Sequence, residues 1–129
     1  MYLRASGTSM FPFIREGDIL LVNNCSVNNL HTADIAVCKI EGKSFAHRVL
    51  WNAKDFLFLK ADMHFFVEKI HKSQVVGKVK SITRNRDIIN LSAGPDKFLS
   101  LLSFFCFLPF SFVYDFVCGL KIYKCNAGL

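Results

Sequence analysis

The chain has 129 residues, which corresponds to one domain of ordinary size. Hydrophobic residues make up 52% of the chain and charged residues 20%, which excludes intrinsic disorder because disordered chains are poor in hydrophobic residues. The net charge of +6 permits an anionic partner. The basic residues are scattered singly, however, and no known nucleic-acid-binding motif accompanies them, so we expect no nucleic acid partner.

Short apolar runs separated by turn residues fill the chain up to about residue 91. This pattern predicts a mainly β fold, because no stretch in the region sustains the 3.6-residue period of an amphipathic helix over three turns. We predict strands over residues 18–22, 34–40, 45–51, 56–60, 75–82 and 88–91.

The composition changes abruptly after Pro95, and seven of the 14 phenylalanines lie between Phe98 and Phe116. Residues 98–114 carry no charge, a length at the lower limit for a membrane-spanning helix, and Pro109 would kink that helix. Three alternatives stay open: a kinked transmembrane anchor, two half-helices in the membrane interface, and a hydrophobic helical hairpin packed on the domain. We expect membrane association through residues 98–120, since aromatic side chains are frequent at membrane interfaces.

We therefore divide the chain into a β-domain over residues 1–93 and a hydrophobic C-terminal segment over residues 94–129. The latter is a candidate membrane anchor, and the side of the membrane that the β-domain faces stays open. Five cysteines without a Cys-x-x-Cys spacing predict neither a disulfide framework nor a zinc site. We expect no cofactor and no metal.

A serine near the N-terminus has a setting that suits a nucleophile. Ser9 lies two residues after Gly7 and three before Pro12, and Gly17 and Asp18 then lead into an apolar strand. A serine nucleophile needs an exposed backbone position, a nearby base and amide donors for the oxyanion. Glycine permits the unusual backbone turn that such a position requires. Each feature alone also occurs in ordinary loops.

The order of these residues resembles the type I signal peptidase family and the related autolytic repressor peptidases. Their nucleophile box reads Gly-x-Ser-Met-x-Pro, followed by Gly-Asp and a strand. The corresponding residues here are Gly7-Thr8-Ser9-Met10-Phe11-Pro12 and Gly17-Asp18-Ile19. The resemblance covers about residues 7–79 and implies a small β-fold with serine endopeptidase activity.

The base of the family follows an Asp-Ile or Asp-Val strand, which here is Asp34-Ile35. It is a lysine in most bacterial enzymes and in the repressors. In the archaeal and endoplasmic-reticulum enzymes the box reads His-Arg-Val followed by Ile or Leu, and this chain has His47-Arg48-Val49-Leu50. The resemblance therefore implies a Ser–His enzyme with His47 as its base.

The third box of the family contains two acids and precedes a Val-x-Gly-Lys-Val strand. The matching residues are Lys60-Ala61-Asp62, then Glu68, then residues 75–79. Ala61 replaces a glycine of the family, and Glu68 replaces an aspartate. The resemblance implies that Asp62 or Glu68 supports His47, and the sequence does not choose between them.

The implied reaction is hydrolysis of a peptide bond in a precursor protein or leader peptide. Ser9 would attack the scissile carbonyl, and its amide would stabilise the oxyanion with a hydroxyl from Ser6 or Thr8. Met10 would contribute to substrate binding, together with apolar side chains near Tyr2, Phe11 and Phe13.

Two alternatives stay open beside this reading. One is a catalytically inactive module that binds a membrane surface or a partner and keeps the peptidase fold. The other is a self-cleaving protein resembling the repressor peptidases, for which Ala93-Gly94 is the candidate bond.

Overall fold

The computed structural model describes residues 1–91, which form one antiparallel β-sheet with a few short turns of 3₁₀ helix. The mainly β fold predicted from the sequence is confirmed. The predicted C-terminal helical segment over residues 98–120 and the domain boundary at residue 93 lie outside the described residues. Among residues 1–91, no helix is long and apolar enough to cross a membrane.

The sheet contains eight strands, and two 3₁₀ helices interrupt the connections between them. The strands are β1 (Tyr2–Arg4), β2 (Ile19–Asn23), β3 (Ile35–Ile40), β4 (Lys43–Asn52), β5 (Phe56–Lys60), β6 (Val67–His71), β7 (Val75–Arg84) and β8 (Asp87–Asn90). The 3₁₀ helices are Val27–Asn29 and Lys72–Gln74.

The strand order is β1-β2-β7-β3-β4-β5-β6, with β8 paired to β7. The long strand β7 joins the halves of the sheet, because it pairs with β2 along one edge and with β3 and then β8 along the other. Gly77 allows the close approach of β2. A Cβ atom at this position would lie 2.4 Å from the Asn23 carbonyl oxygen, which is a steric clash.

Two hydrophobic clusters lie on opposite faces of the sheet. Strand β3 contributes to both, because Ile35 and Val37 face one cluster while Ala36 and Cys38 face the other. The first cluster contains the loop residues Met10 and Ile14 as well. The loop that carries Ser9 is therefore part of the core on one face of the sheet.

The six strands predicted from the sequence are present, and the bounds of β5 agree with the prediction at both ends. Strands β1 and β6 were not predicted. Strand β1 has only three residues, which is too short to show an alternating pattern. In β6 two adjacent polar residues, Glu68 and Lys69, separate Val67 from Ile70, so its sequence does not alternate between apolar and polar residues.

Candidate active site

The segment that carries Ser9 is a loop between β1 and β2 whose base is closed by the backbone. The Ala5 amide donates to the Asp18 carbonyl at 2.7 Å, and the Gly17 amide donates to the Ala5 carbonyl at 2.9 Å. Gly7 has a φ of +87°, a conformation that glycine adopts without strain. Met10, which is 4% exposed, anchors the loop in the core directly after the half-buried Ser9.

A charged pair fixes the end of this loop to the sheet. The Arg84 guanidinium donates to both carboxylate oxygens of Asp18, at 2.9 and 2.6 Å, and also to the Phe13 carbonyl at 2.9 Å. Burial by itself raises the pKa of the Asp18 carboxyl, but the hydrogen bonds from Arg84 and from the Arg15 amide lower it below its ordinary value. The loop is therefore tied to β7 by a carboxylate that stays ionised.

The turn after β5 holds the other side of the Ser9 segment. The Met63 amide donates to the Ser9 carbonyl at 2.9 Å, and the Asp62 amide lies 3.4 Å from the Met10 sulfur, which accepts its hydrogen. Two consecutive amides of this turn therefore hold two consecutive residues of the loop. The nucleophile box and the third box of the sequence, about 50 residues apart, meet at this point.

His47 lies on β4 and is 8% exposed as a residue. Its Nδ1 atom is 2.7 Å from Oε2 of Glu68 on β6, and the Phe45 ring lies 5.0 Å from the imidazole between ring centroids. An ionised carboxylate only accepts hydrogen bonds, so we assign the Nδ1 proton to this bond. In the neutral ring, Nε2 is then the basic nitrogen.

Asp62 contacts Arg48 instead of His47. Its two carboxylate oxygens accept from Nε and Nη2 of Arg48 at 2.8 and 2.7 Å, and both side chains are fully buried. The guanidinium also donates to the Ala33 carbonyl at 3.2 Å and lies 5.2 Å from the centre of the Phe13 ring. Of the two acids that the sequence left open, the structure brings Glu68 to His47.

An open groove of about 170 Å³ runs beside Ser9. One wall is formed by residues 4–7 after β1, and the other by residues 44–46 of β4; Met10, Val37 and Leu20 are among the apolar residues between them. Strand β4 pairs with β3 along this wall, whereas its pairing with β5 begins only at Arg48. Within residues 1–91, the other edge of β4 before Arg48 has no strand partner, and an extended peptide can pair with such an edge.

Not all of the predicted oxyanion donors line the groove. Ser6 and Ser9 line it, whereas Thr8 is exposed and does not. Among the described residues, no acceptor binds the Ser9 amide. The Ser9 amide is therefore able to donate to a bound group, and Ser6 is better placed than Thr8 to assist it.

The structure does not bring Ser9 and His47 together. Ser9 lines the groove with residues of the first cluster, whereas His47 does not line it and lies opposite Ala36, which faces the second cluster. Phe45, whose ring is tilted against that of His47 at 5.0 Å between centroids, lines the far wall of the groove. No hydrogen bond joins the Ser9 hydroxyl to His47 in the part of the chain that the structure describes. Catalytic hydrogen bonds are often long in a protein without substrate and shorten when substrate binds.

Three residues of the site had no assigned role in the sequence analysis. Arg48 and Lys60 belong to the family motifs, but the sequence predicts no role for either, although both are buried. The sequence predicts no role for Met63 either. A buried cation indicates a structural or functional role, but the sequence does not show which cations are buried. Ala61, which replaces a family glycine, does not take a positive φ, so alanine fits the turn without strain.

One family model matches most of the part of the chain that the structure describes. The family model described as Peptidase S24-like matches residues 1–80, which includes both the Ser9 loop and the strand that carries His47. Searches of curated proteins and of solved structures found no match. Since the matched residues make up more than half of the chain, the protein belongs to the Peptidase S24-like family.

Proposed function

We propose that the protein is a signal-peptidase-like serine endopeptidase that removes a leader or signal segment from a precursor. The observation that carries the proposal is the hydrogen bond between His47 and Glu68, next to a groove lined by Ser9. It gives the imidazole a fixed tautomer with a basic Nε2, which is what a Ser–His enzyme requires. The histidine base favours the branch that resembles the archaeal and endoplasmic-reticulum enzymes.

The proposed chemistry requires His47 to come within reach of the Ser9 hydroxyl when substrate binds, because the two side chains are not in contact within residues 1–91. Nε2 of His47 takes the proton of the Ser9 hydroxyl while Oγ attacks the scissile carbonyl carbon. The oxyanion accepts hydrogen bonds from the Ser9 amide and from the Ser6 hydroxyl. When the C–N bond breaks, His47 returns the proton to the leaving amine and an acyl-enzyme remains. Water, deprotonated by His47, then attacks the ester and releases Ser9.

The substrate would bind as an extended strand between the two walls of the groove. Its backbone would pair with the open edge of β4 before Arg48, and its side chains would enter a space of about 170 Å³ bordered by residues such as Ala46 and Val37. A groove of this size favours small side chains next to the cleaved bond. Leader peptides with alanine at these positions fit that requirement.

Membrane association belongs to the same proposal. The hydrophobic residues 98–120 would anchor the chain. Within residues 1–91, eight large apolar side chains are also exposed, among them Phe11, Phe65, Phe66 and Val67. Flotation of the full chain with vesicles of neutral and anionic lipid tests the anchor. Replacing Phe104 and Leu108 with aspartate should abolish flotation and leave the β-domain folded. Equal flotation of the two proteins would reject an anchor in this segment.

The activity test uses purified full chain and a synthetic leader peptide with alanine before the scissile bond. Ser9→Ala and His47→Ala should each abolish cleavage. Two controls should cleave normally: Ser26→Ala removes a hydroxyl that makes no capping bond, and His31→Ala removes a side chain that is 76% exposed. Equal turnover by wild type and Ser9→Ala would reject the peptidase.

A second candidate is an inactive module that keeps the fold and binds a membrane or partner. It is favoured by the absence, within residues 1–91, of a hydrogen bond between Ser9 and His47. The same assay separates the two, because this candidate predicts no cleavage by wild type or by any of the four variants. Mass spectrometry of aged wild-type protein would also reveal self-cleavage at Ala93-Gly94.

A further inference from the structure

Lys60 is a buried cation for which the proposed chemistry has no use. It is the last residue of β5, is 3% exposed and lies opposite Arg48 in the sheet. An ammonium group removed from water is costly unless polar partners surround it. Its Nζ donates to the carbonyl oxygen of the next residue, Ala61, at 3.0 Å. The interaction therefore fixes the peptide unit at the end of β5.

The Ala61 carbonyl receives a second hydrogen bond, from the His64 amide at 3.2 Å. The other end of this peptide unit is the Asp62 amide, which donates to the Met10 sulfur, and the next amide, of Met63, donates to the Ser9 carbonyl. Lys60 thus holds one side of a rigid peptide plane whose other side contacts the nucleophile loop. The Arg48 ion pair fixes the side chain of Asp62.

We propose that Lys60 is a positioning residue that sets the backbone of Ser9 and Met10 through the Ala61–Asp62 peptide. The role in catalysis rests on the proposed function of Ser9, whereas the backbone clamp stands on the contacts alone. Rotation of that peptide would move the Asp62 amide away from the Met10 sulfur and, through Asp62, displace the next amide, of Met63, which donates to the Ser9 carbonyl. A displacement of about 1 Å at a reacting group can lower a rate by roughly 10²-fold.

The clamp is tested by amide hydrogen exchange, measured by NMR on the full chain. Lys60→Met removes the ammonium and keeps an unbranched apolar stem, and Lys60→Arg keeps a cationic donor. Lys80→Met is the matched control, since Lys80 is exposed on β7. In Lys60→Met the Asp62 and Met63 amides should exchange at least roughly tenfold faster than in wild type, because a hydrogen bond to a charged group is lost. Lys60→Arg and Lys80→Met should retain slow exchange.

Unchanged exchange at both amides in folded Lys60→Met would overturn the proposal. If that variant does not fold, NMR of the Lys60 ammonium group in the wild-type protein tests the clamp instead. A Lys60 ammonium signal that exchanges slowly and is coupled to the Ala61 carbonyl carbon supports the clamp. An ammonium that exchanges freely with water overturns it.

Cleavage of the leader peptide tests the catalytic part separately. Lys60→Met should lower kcat by roughly tenfold or more with KM unchanged, and Lys60→Arg should restore most of it. A rise in KM with kcat unchanged would overturn the positioning role, because the residue would then act on substrate binding. If wild type does not cleave while the exchange results hold, the proposed function fails and the clamp is supported.

Discussion

Arg48 and Asp62 form a fully buried ion pair that joins β4 to the turn holding the Ser9 segment. Both carboxylate oxygens of Asp62 accept hydrogen bonds from the guanidinium, at 2.8 and 2.7 Å. The backbone amide of Asp62 meanwhile contacts the Met10 sulfur. The pair therefore links the strand that carries His47 with the loop that carries Ser9.

Removal of one partner should be strongly destabilising. We expect Asp62→Ala to lower the free energy of unfolding by about 3–5 kcal/mol, because Arg48 then becomes an unpaired cation in the core. Urea denaturation of the full chain measures the change. The control is Asp55→Ala, which removes an exposed carboxylate before β5. Replacing both partners with apolar residues, Arg48→Met and Asp62→Leu, should recover much of the loss. A similar stability for Asp62→Ala and Asp55→Ala would contradict the prediction.

Glu68 should matter for activity rather than for folding. In Glu68→Gln the glutamine amide can donate to Nδ1 of His47, which moves the ring proton to Nε2 and removes the base. We expect kcat for the leader peptide to fall by about 10²-fold or more. The melting temperature should change little, because the Glu68 side chain is 45% exposed.

The matched control for this variant is Glu41→Gln, which alters an exposed turn residue. If Glu68→Gln retained wild-type kcat while a folded Asp62→Asn lost it, Asp62 would be the acid that supports the base. Activity and stability must therefore be measured on the same preparations.

The fold was predictable from the sequence where the apolar pattern is regular. Residues 56–60 form a short, mostly apolar run directly after the turn residues 52–55, and the bounds of β5 agree with the prediction at both ends. Strand β6 was missed because its partner β5 holds it at the edge of the sheet with only Ile70 buried. An edge strand depends on backbone pairing, which leaves little trace in residue type.

The acid that contacts His47 was not predictable for a different reason. Neighbouring side chains of a strand point to opposite faces, so His47 lies with Ala36 and Arg48 lies with Ile35. The two acids are thereby divided between the faces: Glu68 meets His47, and Asp62 meets Arg48. Their spacing along the chain does not show where β6 brings the second acid. Only the register of β6 against β5 does so.

Cys38 should be unreactive in the folded protein. Burial, together with the nearby Glu68 carboxylate, raises the pKa of its thiol to about 12, so almost no thiolate forms at pH 8. We expect iodoacetamide at pH 8 to modify Cys38 only after unfolding in urea, as mapped by mass spectrometry. Cys25, which is half-buried, serves as the internal comparison. Alkylation of Cys38 as fast as Cys25 in folded protein would contradict the prediction.

Asp18 should make stability depend on pH in the acid range. Its pKa in the folded protein lies below the ordinary value of 3.8, because the hydrogen bonds from Arg84 and the Arg15 amide outweigh the effect of burial. The stabilisation is therefore fully present above about pH 4 and is lost as the pH falls through the lowered value. Urea denaturation at a series of pH values from neutral to acid measures this loss.

Asp18→Asn removes the titrating group and should flatten this part of the profile. At neutral pH it should also lower the free energy of unfolding by about 1.5–3 kcal/mol, because Arg84 loses a charged acceptor. Asp87→Asn, at an exposed position of β8, should keep the wild-type profile. If Asp18→Asn retained the same dependence on acid pH as wild type, the loss would have to come from another carboxylate. Arg84→Met then offers an independent check, since removing the donor should raise the pKa of Asp18 toward its ordinary value and make the loss of stability at acid pH smaller.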